Sequence, residues 1–264
     1  MKLTINEIQK YGSEMLKSIA EICERNNIRW SMAYGSVLGA VRHKGPIPWD
    51  HDIDIYVPEV DIERFIDVVR KELPTQYWID YRDDKKKARA FPRIGLKGYE
   101  TEILHIDVYR LGGFPTDSLQ FKLFAWYSRM LFIIWKSKTL DINYYYTDRK
   151  RRFISKTTRI LTSFIPLTSI IKKIDKQAAR IPFDEAKIVA SPITTFRRWA
   201  MHDKRIFDEL ISIQYEDFWV KVPKEHDTYL TTLFGDWSKY PSADEREQAM
   251  NKIYEVREIN KGDA

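Results

Sequence analysis

The sequence predicts an α/β (α+β) fold, a mixed sheet flanked by helices and interrupted by a basic helical insertion. Three observations predict it. Helical and strand-like hydrophobic periods alternate from Thr4 to Leu111. The texture turns aromatic, basic and helical from Phe121 to Arg180. A strand followed by a helix then returns in "YEDFWVKVPKEHDTYLTTLFGDW". This pattern assigns residues 1–120 to the core, 121–193 to the insertion and 194–264 to a closing part of the core, as one domain with an inserted subdomain.

The elements follow in order. Thr4 and Glu7 have capping-box spacing, and Ile5, Ile8, Met15, Ile19, Ile22 and Cys23 recur at helical intervals. "IRWSMAY" reads as a strand, and Gly35-Ser36 opens a short helix through about Val41. One Gly and two Pro make "RHKGPIPW" a loop. "DHDIDIYV" reads as a strand and "DIERFIDVVRKEL" as an amphipathic helix closed by Pro74. "ARAFPRIGL" and "TEILHIDVYRL" read as two further strands about a turn at Gly98, and residues 194–214 as helical. There is no internal repeat and no low-complexity tract.

Composition narrows the class. With 264 residues, 44% hydrophobic and 31% charged, the chain has the makings of a globular protein with a proper core. The single cysteine, Cys23, excludes an internal disulfide framework and a multi-cysteine zinc site, and its helical position predicts a buried small hydrophobe. The opening residues hold no apolar signal-peptide stretch, and no Asn-x-Ser/Thr acceptor occurs, so a reducing, cytoplasmic setting is expected. The net charge of +6 is uneven: residues 121–180 hold 14 Lys and Arg against 3 Asp, a net of +11, which leaves −5 for the rest.

The chemistry concentrates in "MAYGSVLGAVRHKGPIPWDHDIDIYVP", Met32 to Pro58. On a strand, Asp50, Asp52 and Asp54 share one face, with His51, Ile53 and Ile55 turned into the packing behind. Like charges on a half-buried face repel one another and are costly to desolvate, so a cation between them is expected. Mg²⁺ or Mn²⁺ takes oxygen ligands, and Asp107 in "LHIDVY" offers a third carboxylate from a neighbouring strand. Gly35-Ser36 at a helix start suits an approaching phosphate, and Arg42, His43 and Lys44 follow on the loop to the aspartates. Arg93 in "FPRIGLKG" is a further phosphate candidate. Each feature has an ordinary reading: Asp-x-Asp as a surface pattern, Gly-Ser as an N-cap, "RHK" as solvated charge, His105 beside Asp107 as a hydrogen-bonded core residue. Their conjunction in this order favours a metal-bridged phosphoanhydride site.

"YGSVLGAVRHKGPIPWDHDIDI" resembles the signature of the LicD family, which includes bacterial phosphorylcholine transferases and fukutin-type proteins. "YEDFWVKVPKEHDTYLTTLFGDW" is similar to that family's second signature, so the resemblance covers nearly everything but the basic middle. It implies a nucleotidyltransferase fold with Gly35, Ser36, Asp52, Asp54 and Asp107 at the family's motif positions. It also implies transfer of a phospho-substituent, phosphorylcholine favoured, from a CDP-linked donor such as CDP-choline to a glycan or lipid-linked glycan hydroxyl, with release of CMP. In that reaction Mg²⁺ sits on Asp52, Asp54 and Asp107; Arg42, Lys44, Gly35 and Ser36 hold phosphate; and Asp107 or Asp50 takes the acceptor proton. His51 stands where many bacterial relatives have Asp.

Two rivals share these residues. A true nucleotidyltransferase would attack the α-phosphate of an NTP. A non-catalytic membrane or RNA adaptor would use the basic segment alone, though no RNA-binding motif is present and no nucleic-acid partner is expected. The longest apolar run, Met130 to Trp135, is far shorter than the ~20 residues a spanning helix needs, so contact with an anionic membrane surface would be peripheral, on the inner face of the cell membrane.

Overall fold

A computed structural model describes residues 2–82, 88–99, 103–145, 147–197 and 200–256. Its elements begin with β1 (Lys2–Leu3), α1 (Ile5–Arg25), β2 (Ser31–Met32), α2 (Tyr34–Leu38), a π-helical turn (Gly39–His43) and β3 (Ile53–Pro58). Next come α3 (Ile62–Glu72), β4 (Tyr77–Asp80), β5 (Arg93–Leu96), β6 (His105–Phe114) and α4 (Ser118–Thr139). They continue with α5 (Ile142–Tyr145), α6 (Arg149–Leu161), α7 (Leu167–Ala178), β7 (Ile188–Ala190) and β8 (His202–Asp203). The last are β9 (Leu210–Tyr215), β10 (Phe218–Pro223), α8 (His226–Phe234), α9 (Ala243–Met250) and β11 (Tyr254–Glu255). The expected mixed α/β architecture is borne out.

The chain divides into two compact units. The first comprises Met1–Ile79, Pro92–Tyr109 and Arg205–Ala264, and the second Asp80–Phe91 and Arg110–Lys204. In the first unit the strands lie in the order β2-β3-β6-β5-β4, with β2 antiparallel to β3 and β5 antiparallel to β6. The predicted capping box forms: Thr4 Oγ1 accepts the Glu7 N–H at 3.3 Å, and Glu7 Oε2 accepts the Thr4 N–H at 2.8 Å. Such a cap contributes about 1 kcal/mol. Helix α1 buries Ile5, Ile8, Met15, Leu16, Ile19, Ile22 and Cys23, α3 buries Phe65 and Val69, and β3 and β6 supply Ile53, Ile55, Ile106 and Val108. Burial pushes the Cys23 thiol upward, in keeping with a hydrophobic role.

Three segments differ from expectation. Strand β3 starts at Ile53, not Asp50, because a turn precedes it: the Asp50 N–H donates to the Ile47 carbonyl at 2.9 Å. Gln9 of α1 clamps that turn, its Nε2 donating to the carbonyls of Ile47 at 2.8 Å and Asp50 at 2.6 Å. Residues expected to continue a helix to 214 instead form β8, a short 3₁₀ turn (Lys204–Phe207) and β9. The β-branched Ile211 and Ile213 favour the extended form, and β9 pairs antiparallel with β10 through a tight hairpin that puts Glu216 at φ 51°. Strand β4 lies in "YWID", which alternates buried and half-buried side chains but is short enough to escape periodicity.

In the second unit, α4 and α7 pack Leu131, Trp135, Ile170, Ile171 and Ile174 with Ala88 and Ala90 into one core. Trp135 Nε1 donates to the Ala88 carbonyl at 2.8 Å. Beside this core, Arg110 is 4% exposed, and its guanidinium bonds both the Tyr81 hydroxyl and Asp175, Nη2 to Oδ1 at 2.9 Å. The Tyr81 hydroxyl also bonds Asp175, and Arg82 Nη2 lies 3.0 Å from Asp175 Oδ2. Strand β7 pairs the end of β6 and β8.

Buried His202 of β8 makes stability pH-dependent. Burial lowers its pKa from 6.5 to about 4. Between those values the unfolded chain binds the proton and the folded chain does not, so stability is full above about pH 6.5 and is lost as pH falls toward 4. The loss from this residue is expected to reach about 3 kcal/mol. Thermal melts from pH 7.5 to 4.5 should show a flatter decline for His202→Gln than for wild type; parallel curves would refute the assignment.

Candidate active site

The first motif of the sequence sits in the first unit, where β2 hands over to α2. Tyr34, the first residue of α2, has φ 47°, the left-handed region that non-glycine residues seldom adopt. The Tyr34 N–H donates to the Tyr229 hydroxyl of α8 at 2.8 Å, which holds that backbone in place. Ser36 then ties the helix to the aspartate strand: its Oγ accepts the Asp54 N–H at 2.8 Å, while the Ala33 N–H donates to the Asp54 carbonyl at 2.9 Å. Gly35 faces the Asp50 carboxylate, and a Cβ there would stand 3.5 Å from Asp50 Oδ2. After α2 the chain winds into the π-helical turn, where Gly39 is required because a Cβ would meet the Gly45 carbonyl at 2.8 Å.

Four aspartates converge here. Asp54 in β3 is partly buried, and its carboxyl is pushed well above its usual range, first by burial and then by repulsion from Asp107, Asp52 and Asp50. Burial and Asp52 likewise raise Asp50, whose Oδ1 accepts the Asp52 N–H at 3.3 Å. Asp107 in β6 behaves differently. Burial pushes it up, but His105 and Arg93 more than offset that and hold it at about 2. Arg93 is its directly opposed partner on β5 and forks onto the carboxylate, with Nε 2.7 Å from Oδ1 and Nη2 3.4 Å from Oδ2. His105 Nε2 lies 3.6 Å from Oδ1, and the Tyr109 hydroxyl donates to Oδ2 at 3.4 Å. Burial and the charges of Asp54 and Asp107 raise the Tyr109 phenol, which therefore stays a donor. Behind the carboxylates, Tyr34, Tyr56 and Tyr109 pack edge or tilted, with centroids 5.2 to 6.5 Å apart, and Phe207 joins Tyr56 to Tyr229.

His51 departs from expectation. The turn ahead of β3 breaks the strand alternation at positions 50–52, so His51 is not turned away from the acids. The ligating atoms of Asp50, His51 and Asp52 all lie within 4.8 Å of one another, and His51 Nε2 is 3.4 Å from Asp52 Oδ1. Its ring also packs on Tyr254, centroids 4.8 Å apart. Asp54 lies outside this tight group but feels the charges of Asp50 and Asp52 as well as that of Asp107.

The basic candidates separate. Lys44 is exposed at the end of the π-turn with φ 54°. Arg42 is turned to the C-terminal segment: Nη1 donates to the carbonyls of Trp237 at 2.8 Å and Lys239 at 3.4 Å, Nε to His43 Nε2 at 3.0 Å, and the guanidinium lies 4.4 Å from the Tyr240 centroid. Tyr109 was missed in the sequence, although its i+2 spacing from Asp107 puts both on one strand face. The tie from Tyr34 to Tyr229 carries no local signal at all.

Residues 27–160 match the family model described as LicD/FKTN/FKRP, nucleotidyltransferase domain. The chain belongs to the LicD family. It is 24% identical over 273 residues to the lipopolysaccharide cholinephosphotransferase LicD of Haemophilus influenzae, covering 97% of this chain and 98% of that protein. Uncharacterized proteins of Rickettsia prowazekii and Rickettsia typhi are each 42% identical over 48 residues, 18% of this chain. The expectation of a LicD-type transferase is thereby borne out, and the LicD match takes in the whole Gly35–Asp107 constellation together with the first two basic helices, α4 and nearly all of α6.

Proposed function

We propose that this LicD protein transfers phosphorylcholine from CDP-choline to a hydroxyl of a lipopolysaccharide-type or lipid-linked glycan and releases CMP. The observation that carries the reading is the end-to-end similarity to a lipopolysaccharide cholinephosphotransferase, joined to a cluster of carboxylates in the shared region. The donor set fits a hard divalent cation such as Mg²⁺ or Mn²⁺: Asp54 is a carboxylate set among like charges, and a cation reverses that penalty. Asp52 and Asp54 would hold it, with Asp107 or the Asp50–His51 side completing the set. When bound it would neutralise charge on the donor diphosphate as the bond to CMP breaks.

The chain's own residues divide the remaining work. Arg93 and His105 keep Asp107 ionised and fixed, so Asp107 serves as an anionic post and not as a proton acceptor. Asp50, whose carboxyl is raised by burial and by Asp52, is left to take the acceptor hydroxyl's proton. Lys44 and the Gly35 end of α2 would meet the donor's phosphates, the Ser36 N–H being held by the Ala33 carbonyl at 2.9 Å, whereas Arg42 fastens the C-terminal segment.

Purified protein with Mg²⁺ and an oligosaccharide acceptor is to be incubated in parallel with CDP-choline, CDP-ribitol, CDP-glycerol, CTP and ATP. Acceptor-dependent CMP from CDP-choline is the expected result. CMP from another CDP-alcohol alone would replace the headgroup. Pyrophosphate from an NTP, with no CMP from any CDP donor, would make the protein a nucleotidyltransferase.

A further inference from the structure

Helix α6 is built inside out. Phe153, Ile154, Ile160 and Leu161 recur on one arc of it, and all are exposed, Phe153 at 71% and Ile160 at 72%. Its buried residue is Ser155, and the polar side is the one that packs: Arg159 donates to the carbonyls of Ser137 and Leu140. A helix that covers a core shows the reverse arrangement. The turn after α6 adds Phe164, 80% exposed. Helix α4 repeats the theme. Phe124, Leu131 and Trp135 face inward, while Leu119, Leu123, Trp126 and Ile133 form an exposed stripe at helical spacing.

Charge selects what covers these faces. Besides Arg159, which packs inward, helix α6 carries Arg149, Lys150, Arg151, Arg152 and Lys156 with no acidic residue, and α4 carries Lys122, Arg129, Lys136 and Lys138, again with none. A second copy of the chain would set like charges against one another. An anionic surface would meet them with opposite charge and accept the aromatic and aliphatic side chains between them. No described helix is long and apolar enough to cross a membrane.

We propose that the exposed apolar faces of α4 and α6, with the Phe164 turn, form a docking surface for an anionic lipid bilayer, lying in the headgroup plane. The surface is independent of the transfer reaction. It is tested by flotation of the full-length protein with vesicles of phosphatidylcholine alone or mixed with phosphatidylglycerol. Binding to the anionic vesicles alone is expected. The triple variant Phe153→Ser, Ile160→Ser, Phe164→Ser should bind them at least about tenfold more weakly with an unchanged melting temperature, since all three side chains are exposed. Leu123→Ser with Trp126→Ser on α4 should act in the same direction and stands in if the triple variant misfolds. No binding to anionic vesicles, or binding that neither set of substitutions weakens, would overturn the proposal. So would stable self-association in solution that the same substitutions abolish.

Discussion

Asp54→Asn is expected to lower phosphotransfer by on the order of 10³-fold, about 4 kcal/mol of transition-state stabilisation. The carboxylate is buried and repelled by Asp107, Asp52 and Asp50, and its charge is unfavourable there without a cation. Removing that charge relieves repulsion in the free protein, so the melting temperature should stay level or rise. The backbone N–H bond to Ser36 Oγ does not depend on the side chain and survives the change. Loss of turnover with an undiminished melting point separates a ligand role from a structural one. Near-full turnover of the variant in Mg²⁺ would remove Asp54 from the metal site. Asp52→Asn should lose activity on the same scale with less effect on stability, because Asp52 is exposed.

Asp175→Ala should strongly destabilise the second unit. It removes the carboxylate that buried Arg110 meets at 2.9 Å, and with it the contacts of Asp175 to the Tyr81 hydroxyl and to Arg82. Breaking one side of a buried ion pair costs about 3–5 kcal/mol. At roughly 2–4 °C per kcal/mol for a chain of this size class, the melting temperature should fall by about 10 °C. Adding Arg110→Met to that variant should recover part of the loss, since the buried guanidinium that had met Asp175 is then gone. A double variant no more stable than Asp175→Ala alone would show that packing, not charge, sets the cost.

Elements that declare themselves locally were legible in the sequence. The Thr4–Glu7 cap, the amphipathic rhythm of α1 and α3 and the β10–α8 succession depend on near neighbours, and each forms as expected. The start of β3 was not legible, because the turn that delays it is held by Gln9, 38 and 41 residues away from the carbonyls it clamps. That one misplacement also hid His51 among the acids. Residues 194–214 carry enough apolar spacing for a helix, and only the pairing with β10 makes Leu210–Tyr215 a strand. Arg42 reads as a phosphate clamp from its place in the motif, yet its partners, the Trp237 and Lys239 carbonyls, lie 195 and 197 residues on. Asp50, Asp52, Asp54 and Asp107 could be named early because carboxylates flanked by apolar residues stand out in any sequence.

The hydroxyl that holds the Tyr34 turn has a consequence for how the protein is made. Tyr229 follows Tyr34 by 195 residues, and at about 5–20 residues per second of synthesis it emerges roughly 10–40 s later. The 3₁₀ turn Lys204–Phe207 and strands β9 and β10 are also late products. A nascent chain halted before them already displays Gly35, Ser36 and all four aspartates, but the backbone bond that seats the motif has no acceptor. Seating of the motif therefore waits until Tyr229 has been made, and a chain truncated before that residue carries the Gly35–Asp107 signature without the hydroxyl that holds Tyr34.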